Sequence, residues 1–177
     1  MDKKKSFVRL IAACISGAII GSTVGITADA ITVSHVIDND PLASTGNTSY
    51  SSGFSYMTGS NCYNGDAQIA SSGNSSYFYH WVHETTTLGG PKTVTVNLMV
   101  YLNHSNFTDP SAVYSVYQNG GALTVGTINQ NLAAGGWNTL SSVTAANFTQ
   151  LKMVCVDPST YSGYYTGADA VDVKYYY

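Results

Sequence analysis

The chain has 177 residues, of which only 10% are charged, and a net charge of −3. That length suits one domain with a sizeable core, and the scarcity of basic residues excludes nucleic acid, whose phosphates demand a lysine- and arginine-rich surface. Fourteen tyrosines and two tryptophans stand out against this weakly charged background.

Lys3, Lys4, Lys5 and Arg9 precede the apolar stretch LIAACISGAIIGSTVGI, and ADA ends at Ala30. A cationic head, a short apolar run and an A-x-A ending make a secretory signal peptide, so residues 1–30 are expected to be cleaved. The alternative is an uncleaved anchor, since residues 10–26 approach spanning length; the glycines, serines and small-residue ending favour cleavage. IAAC at Ile11 to Cys14 is not read as a lipoprotein box, because only Leu10 separates it from Arg9. The expected mature domain, residues 31–177, keeps Lys92, Lys152 and Lys174 against eight carboxylates, a net charge of −5. Anionic membrane surfaces are therefore poor partners, and neutral, hydroxyl-rich ligands remain open.

Residues 31–177 lack a 3.6-residue apolar period, while short alternating runs rich in Val, Thr and Tyr recur between Gly, Asn and Ser clusters. This pattern predicts strands over 31–38, 76–86, 92–103, 112–119, 122–130, 137–145, 150–157 and 167–176. QNGG at Gln118 to Gly121 predicts a tight hairpin between the fourth and fifth of these. LGGPK at Leu88 to Lys92 reads as a break, with Pro91 at a strand start where its missing N–H costs little. The Ser/Gly/Asn-rich stretch 39–75 is too long for a structureless loop, so short strands are expected near Phe54–Thr58 and Asp66–Ala70. With no helices to serve as crossovers, the fold class is all-β, a single-domain β-sandwich or jelly roll.

Taken in order, VIDND (36–40), STGN (44–47), YFYHWV (77–82), TVTVNLMVYLN (93–103), YSVYQNGGALTVGTINQN (114–131), GGWNTL (135–140) and GADAVDV (167–173) resemble the golvesin C-terminal and xanthan-lyase carbohydrate-binding-like domain. The resemblance spans residues 36–176 and implies a galactose-binding-like β-sandwich with neighbouring first and last strands. It also implies that Trp137 is a packing residue and that GADAVDV is the final core strand, with the trailing tyrosines covering the sheet edge. GGPKTVTV departs from the usual A-G-T-Y-x-V, with Thr93 in the place of an aromatic, and the strand over Tyr77 to His83 is longer and more aromatic.

Chemistry-bearing residues point away from catalysis. No serine sits in a G-x-S-x-G elbow, and no histidine has an acid at recognisable spacing, so neither an enzyme nor a cofactor is expected. His80 and His83 face opposite sides of one strand, as do Asp169 and Asp172. Asp169 is expected to bind backbone near the sheet's end. DND at Asp38 to Asp40 has the oxygens for a calcium ion, but without an EF-hand's glycine and distal glutamate it reads first as a turn before Pro41. Two cysteines, Cys62 and Cys155, remain in a chain bound for an oxidising compartment, which predicts a disulfide; two separately buried thiols are the alternative.

The positive signal is aromatic. Tyrosines in strands, such as Tyr77, Tyr79, Tyr114 and Tyr117, have high β propensity as sufficient reason. Tyr50, Tyr56, Tyr63, Tyr161, Tyr164 and Tyr165 fall in expected loops, where an aromatic face beside polar groups suits the apolar faces and hydroxyls of sugars. The expected function is non-catalytic binding of carbohydrate at a cell surface or on an extracellular polysaccharide. Tyr56, Tyr63, Tyr161, Tyr164 and Tyr165 are its candidate platform. The alternative is an adhesion module whose tyrosines meet a protein partner or a second copy.

Overall fold

The computed structural model describes residues 32–39, 46–118 and 121–177. The expected signal peptide, Asp40, Pro41 and the Asn119–Gly120 turn lie outside them.

Alternation of apolar and polar residues builds most of the strands. β1 (Thr32–Ile37) opens the chain; β2 (Gly46–Tyr50), β3 (Phe54–Thr58) and β4 (Asp66–Ser71) follow within the Ser/Gly/Asn-rich stretch. β3 and β4 are the short strands expected there, whereas β2 had no apolar alternation to reveal it. β5 runs unbroken from Tyr79 to Leu102, and Val94, Val96, Leu98, Val100 and Leu102 are all buried on its core face. β6 (Ala112–Gln118) and β7 (Gly121–Ile128) form the expected hairpin, followed by β8 (Gly136–Thr139), β9 (Val143–Asp157), β10 (Tyr165–Ala168) and β11 (Val171–Tyr176).

Three strand expectations need correction. The break at LGGPK is a bend within β5: Gly89 (φ 66°) and Gly90 (φ 136°) take left-handed geometry that side chains resist, and the ladder to β9 slips around Lys92 and then resumes. Pro91 sits where that ladder is interrupted, so its missing N–H breaks no bond. Residues 137–145 divide between β8 and β9. Residues 167–176 divide between two sheets, because the chain turns at Asp169 and Ala170.

The main sheet has the order β1-β11-β5-β9-β6-β7, with β2 and β8 also paired to β5; β10-β4-β3 make a second, three-stranded sheet. The first half of β5 pairs with β2 and the end of β9, the second half with β11, β8 and the start of β9. The two long bent strands thus curl the sheet around one core that the small sheet closes. Tyr79, Trp81 and Tyr114 fill its centre, with the Trp81 indole N–H donating to the Asp169 carbonyl at 2.9 Å. β1 and β11 are neighbours, as the resemblance implied. The trailing tyrosines do not cover an edge: β11 lies between β1 and β5, and Tyr175 is buried in the core.

Candidate functional site

Three connections meet at one end of the sandwich, those between β5 and β6, β7 and β8, and β9 and β10. Two buried polar side chains tie them together. Asp109 accepts from Ser111 N through Oδ1 (2.9 Å), and from Ser159 N (2.9 Å) and Thr166 Oγ1 (2.5 Å) through Oδ2. Gln130 donates through Nε2 to Tyr114 OH (3.0 Å) and to the Gly167 carbonyl (2.9 Å), and its Oε1 accepts from Gly167 N (2.8 Å). Phe107 closes over Gly167 so tightly that a Cβ there would fall 2.1 Å from the ring. With every polar atom of Asp109 and Gln130 paired, the loops above are held without large further ordering on binding.

Above this support lies a cavity of about 620 Å³ lined by Tyr164, Tyr165, Asn106, Thr108, Gly163 and Ile69, together with Ser105 and Asn131. The last two also line an adjoining cavity of about 420 Å³, whose other walls include Asn61, Asn103, His104 and Gly135. The two make one groove of amides, hydroxyls and tyrosine rings. Neither chamber's lining includes a carboxylate or a lysine.

The five candidate tyrosines do not form one platform. Tyr164 and Tyr165 line the groove. Tyr161 is 58% exposed on the same connection, where its carbonyl accepts from Ser72 Oγ at 2.5 Å, but it lines neither chamber. Tyr56 stands on β3, with β4 between it and β10, and its hydroxyl donates to Asp66 Oδ2 at 3.1 Å. Tyr63 packs edge-on to Tyr101 and Trp137. Trp137 packs, as the resemblance implied, but against Tyr63 and Tyr101 on the outer face of the sheet, where it keeps 36% of its surface exposed. Tyr50 stacks on Tyr79. The amides and hydroxyls of the groove went unremarked in the sequence, although NHSN (103–106) and NQN (129–131) carry the loop composition that marks them.

Asp38, Asp66 and Asp169 converge where β1 and β10 end and β4 begins. Asp38 accepts from Asn39 N (2.7 Å) and Asn64 Nδ2 (2.6 Å), and Asp66 accepts from Asn39 Nδ2 (2.7 Å). Asp169 is 2% exposed and accepts from Tyr63 N at 3.1 Å. Burial, reinforced by the charges of Asp38 and Asp66, pushes its carboxyl up to about 8 despite that bond. Among the described residues no three His, Cys, Asp or Glu side chains are grouped to hold a metal ion.

The expected Cys62–Cys155 disulfide is absent; both are free, buried thiols. Cys155 pairs with His80 and Ser115 on the face of the sheet opposite Trp81, its Sγ 3.4 Å from Asp157 Oδ1. Cys62 lies on the core side beside Asp169, so the sheet separates the two sulfurs. Burial raises both thiols, Cys62 to about 11.

No family model matches the sequence, and no curated protein is similar to it. Solved structures are. A Paenibacillus xanthan lyase superposes with a TM-score of 0.55 at 20% identity over 79% of this chain, which corresponds to 13% of the lyase. A family 35 carbohydrate-binding module from Clostridium thermocellum gives 0.48 at 13% identity over 79% of this chain and 96% of its own. The family 35 module of Cellvibrio japonicus Abf62 gives 0.46 at 12% identity, over 80% and 92%. The likeness to the lyase is one of fold, in keeping with the all-β architecture of this chain. Among the described residues no helix is long and apolar enough to cross a membrane.

Proposed function

We propose that this chain is a secreted, non-catalytic module that binds carbohydrate in the groove between the three connections. The observation that carries the reading is the lining. Two tyrosine rings offer apolar faces for a pyranose, while Asn103, Asn106, Asn131, Ser105 and Thr108 offer donors and acceptors for its hydroxyls. The buried Asp109 is engaged by three donors and neither chamber's lining includes a carboxylate, which supports binding rather than hydrolysis, since most glycosidases use two carboxyl groups flanking the scissile bond. The trailing tyrosines Tyr175 to Tyr177 would suit the adhesion alternative, but Tyr175 is buried and Tyr176 and Tyr177 are half-buried, which leaves little of them for a partner.

The test is a glycan array followed by titration of the strongest binder. Tyr164→Ala is expected to bind about tenfold more weakly, the scale of one lost aromatic contact, near 1.4 kcal/mol. Its melting temperature should hold, because Tyr164 is 41% exposed. Wild-type silence across the array with concentration-dependent self-association would replace this reading with adhesion.

A further inference from the structure

Resting on the carbohydrate reading, we infer that the binding path continues from the groove onto Trp137, so that the site takes the interior of a polysaccharide chain rather than a terminal sugar. Asn61, Asn103 and Gly135 line the second chamber, and each stands two residues from Tyr63, Tyr101 and Trp137 respectively. Those three rings form a closed cluster on the outer face: Tyr63 to Tyr101 at 5.4 Å and 67°, Tyr63 to Trp137 at 5.5 Å and 67°, Tyr101 to Trp137 at 5.4 Å and 79°. The Asn103 amide reaches toward the Tyr101 hydroxyl at 3.5 Å, bridging chamber and cluster.

Trp137 has no part in the core, because its β-ladder partner Tyr101 alternates with the buried Val100 and Leu102 on the other face. Two edge-on tyrosines fix the indole while leaving part of it in water, which is the arrangement of a stacking platform with little entropy left to lose. The turn before it is fastened as well: Asn138 Nδ2 donates to the carbonyls of Ala134 (2.9 Å) and Gly136 (2.8 Å). The path so inferred has tyrosines at one end, amides in the middle and an exposed tryptophan at the other. It suits a chain that passes through.

Affinity electrophoresis in gels containing xanthan, laminarin, xylan or β-1,3-galactan, with calorimetry on trisaccharides of the retarding polymer, tests this. Trp137→Ala should bind the polymer about tenfold more weakly, the scale of one lost stacking contact, and the trisaccharide nearly as well as wild type. Trp137→Phe should recover most of the loss, and Tyr164→Ala should weaken both ligands. In the wild type the polymer should shield tryptophan fluorescence from acrylamide, a signal that reports Trp137 because Trp81 is 1% exposed; this holds however the variants fold. Unshielded fluorescence, or a Trp137→Ala variant retarded like wild type while Tyr164→Ala is not, overturns the extended path and leaves the groove intact. Wild type unretarded in every gel overturns the carbohydrate reading, and the inference with it.

Discussion

Asp169→Asn should flatten the dependence of stability on pH. The folded chain holds the Asp169 proton up to about 8, whereas the unfolded chain releases it near 3.8. Between those values the folded state binds the extra proton, so the stabilisation is complete below the lower value and is lost as pH rises toward the upper one. Each pH unit within the window removes up to about 1.4 kcal/mol, so the change from pH 5 to pH 7 approaches about 2.7 kcal/mol from this group alone. For a domain of this size that is a fall of roughly 5–10 °C in melting temperature. Asparagine keeps a carbonyl oxygen for Tyr63 N and carries no charge beside Asp38 and Asp66. Its variant should match wild type near pH 5 and exceed it at pH 7. The assay is thermal unfolding by circular dichroism from pH 4.5 to 8 in EDTA, with the variant-minus-wild-type difference isolating this group from other carboxylates. Parallel pH profiles for the two proteins would refute the reasoning. So would a wild type that gains stability on added calcium at pH 7, since an ion rather than a proton would then balance the three carboxylates.

Gly167→Ala should cost roughly 1–3 kcal/mol by overpacking, because its methyl would meet the buried Phe107 ring; a denaturant melt matching wild type would show that the ring moves aside. Asp109→Ala strands three donors and should cost about 2 kcal/mol or more, with sugar binding lost as the connections loosen; retained affinity would mean that they hold without it. Cys62 and Cys155 should resist a thiol reagent in the native protein and react fully in denaturant without reductant; a bridged species in non-reducing mass spectrometry would contradict this.

Period-two alternation is a local property, so most of the strands were legible residue by residue. The β6–β7 hairpin and the hidden β3 and β4 came from turn chemistry and from the improbability of a long bare loop. The course of β5 was not legible. Gly89, Gly90 and Pro91 signal a stop to any local reading, and only the resumption of pairing with β9 beyond Lys92 turns that stop into a bend. The same limit governs the site. Tyrosine-rich loops marked Tyr164 and Tyr165, but Tyr56 and Tyr63 carry the same local signal and lie elsewhere, because strand pairing and not composition decides which loops share an end. Asn103, Asn131 and Ser105 were silent, since an amide in a turn has a sufficient local reason to be there. For Trp137 the resemblance implies packing; that it packs on the outer face and stays partly exposed depends on which face of β5 the four residues of β8 present to water. Sequence determined where most of the strands fall and that the chain is weakly charged and rich in tyrosine. Tertiary structure alone decided which side chains face one another, because that depends on contacts between segments far apart in the chain.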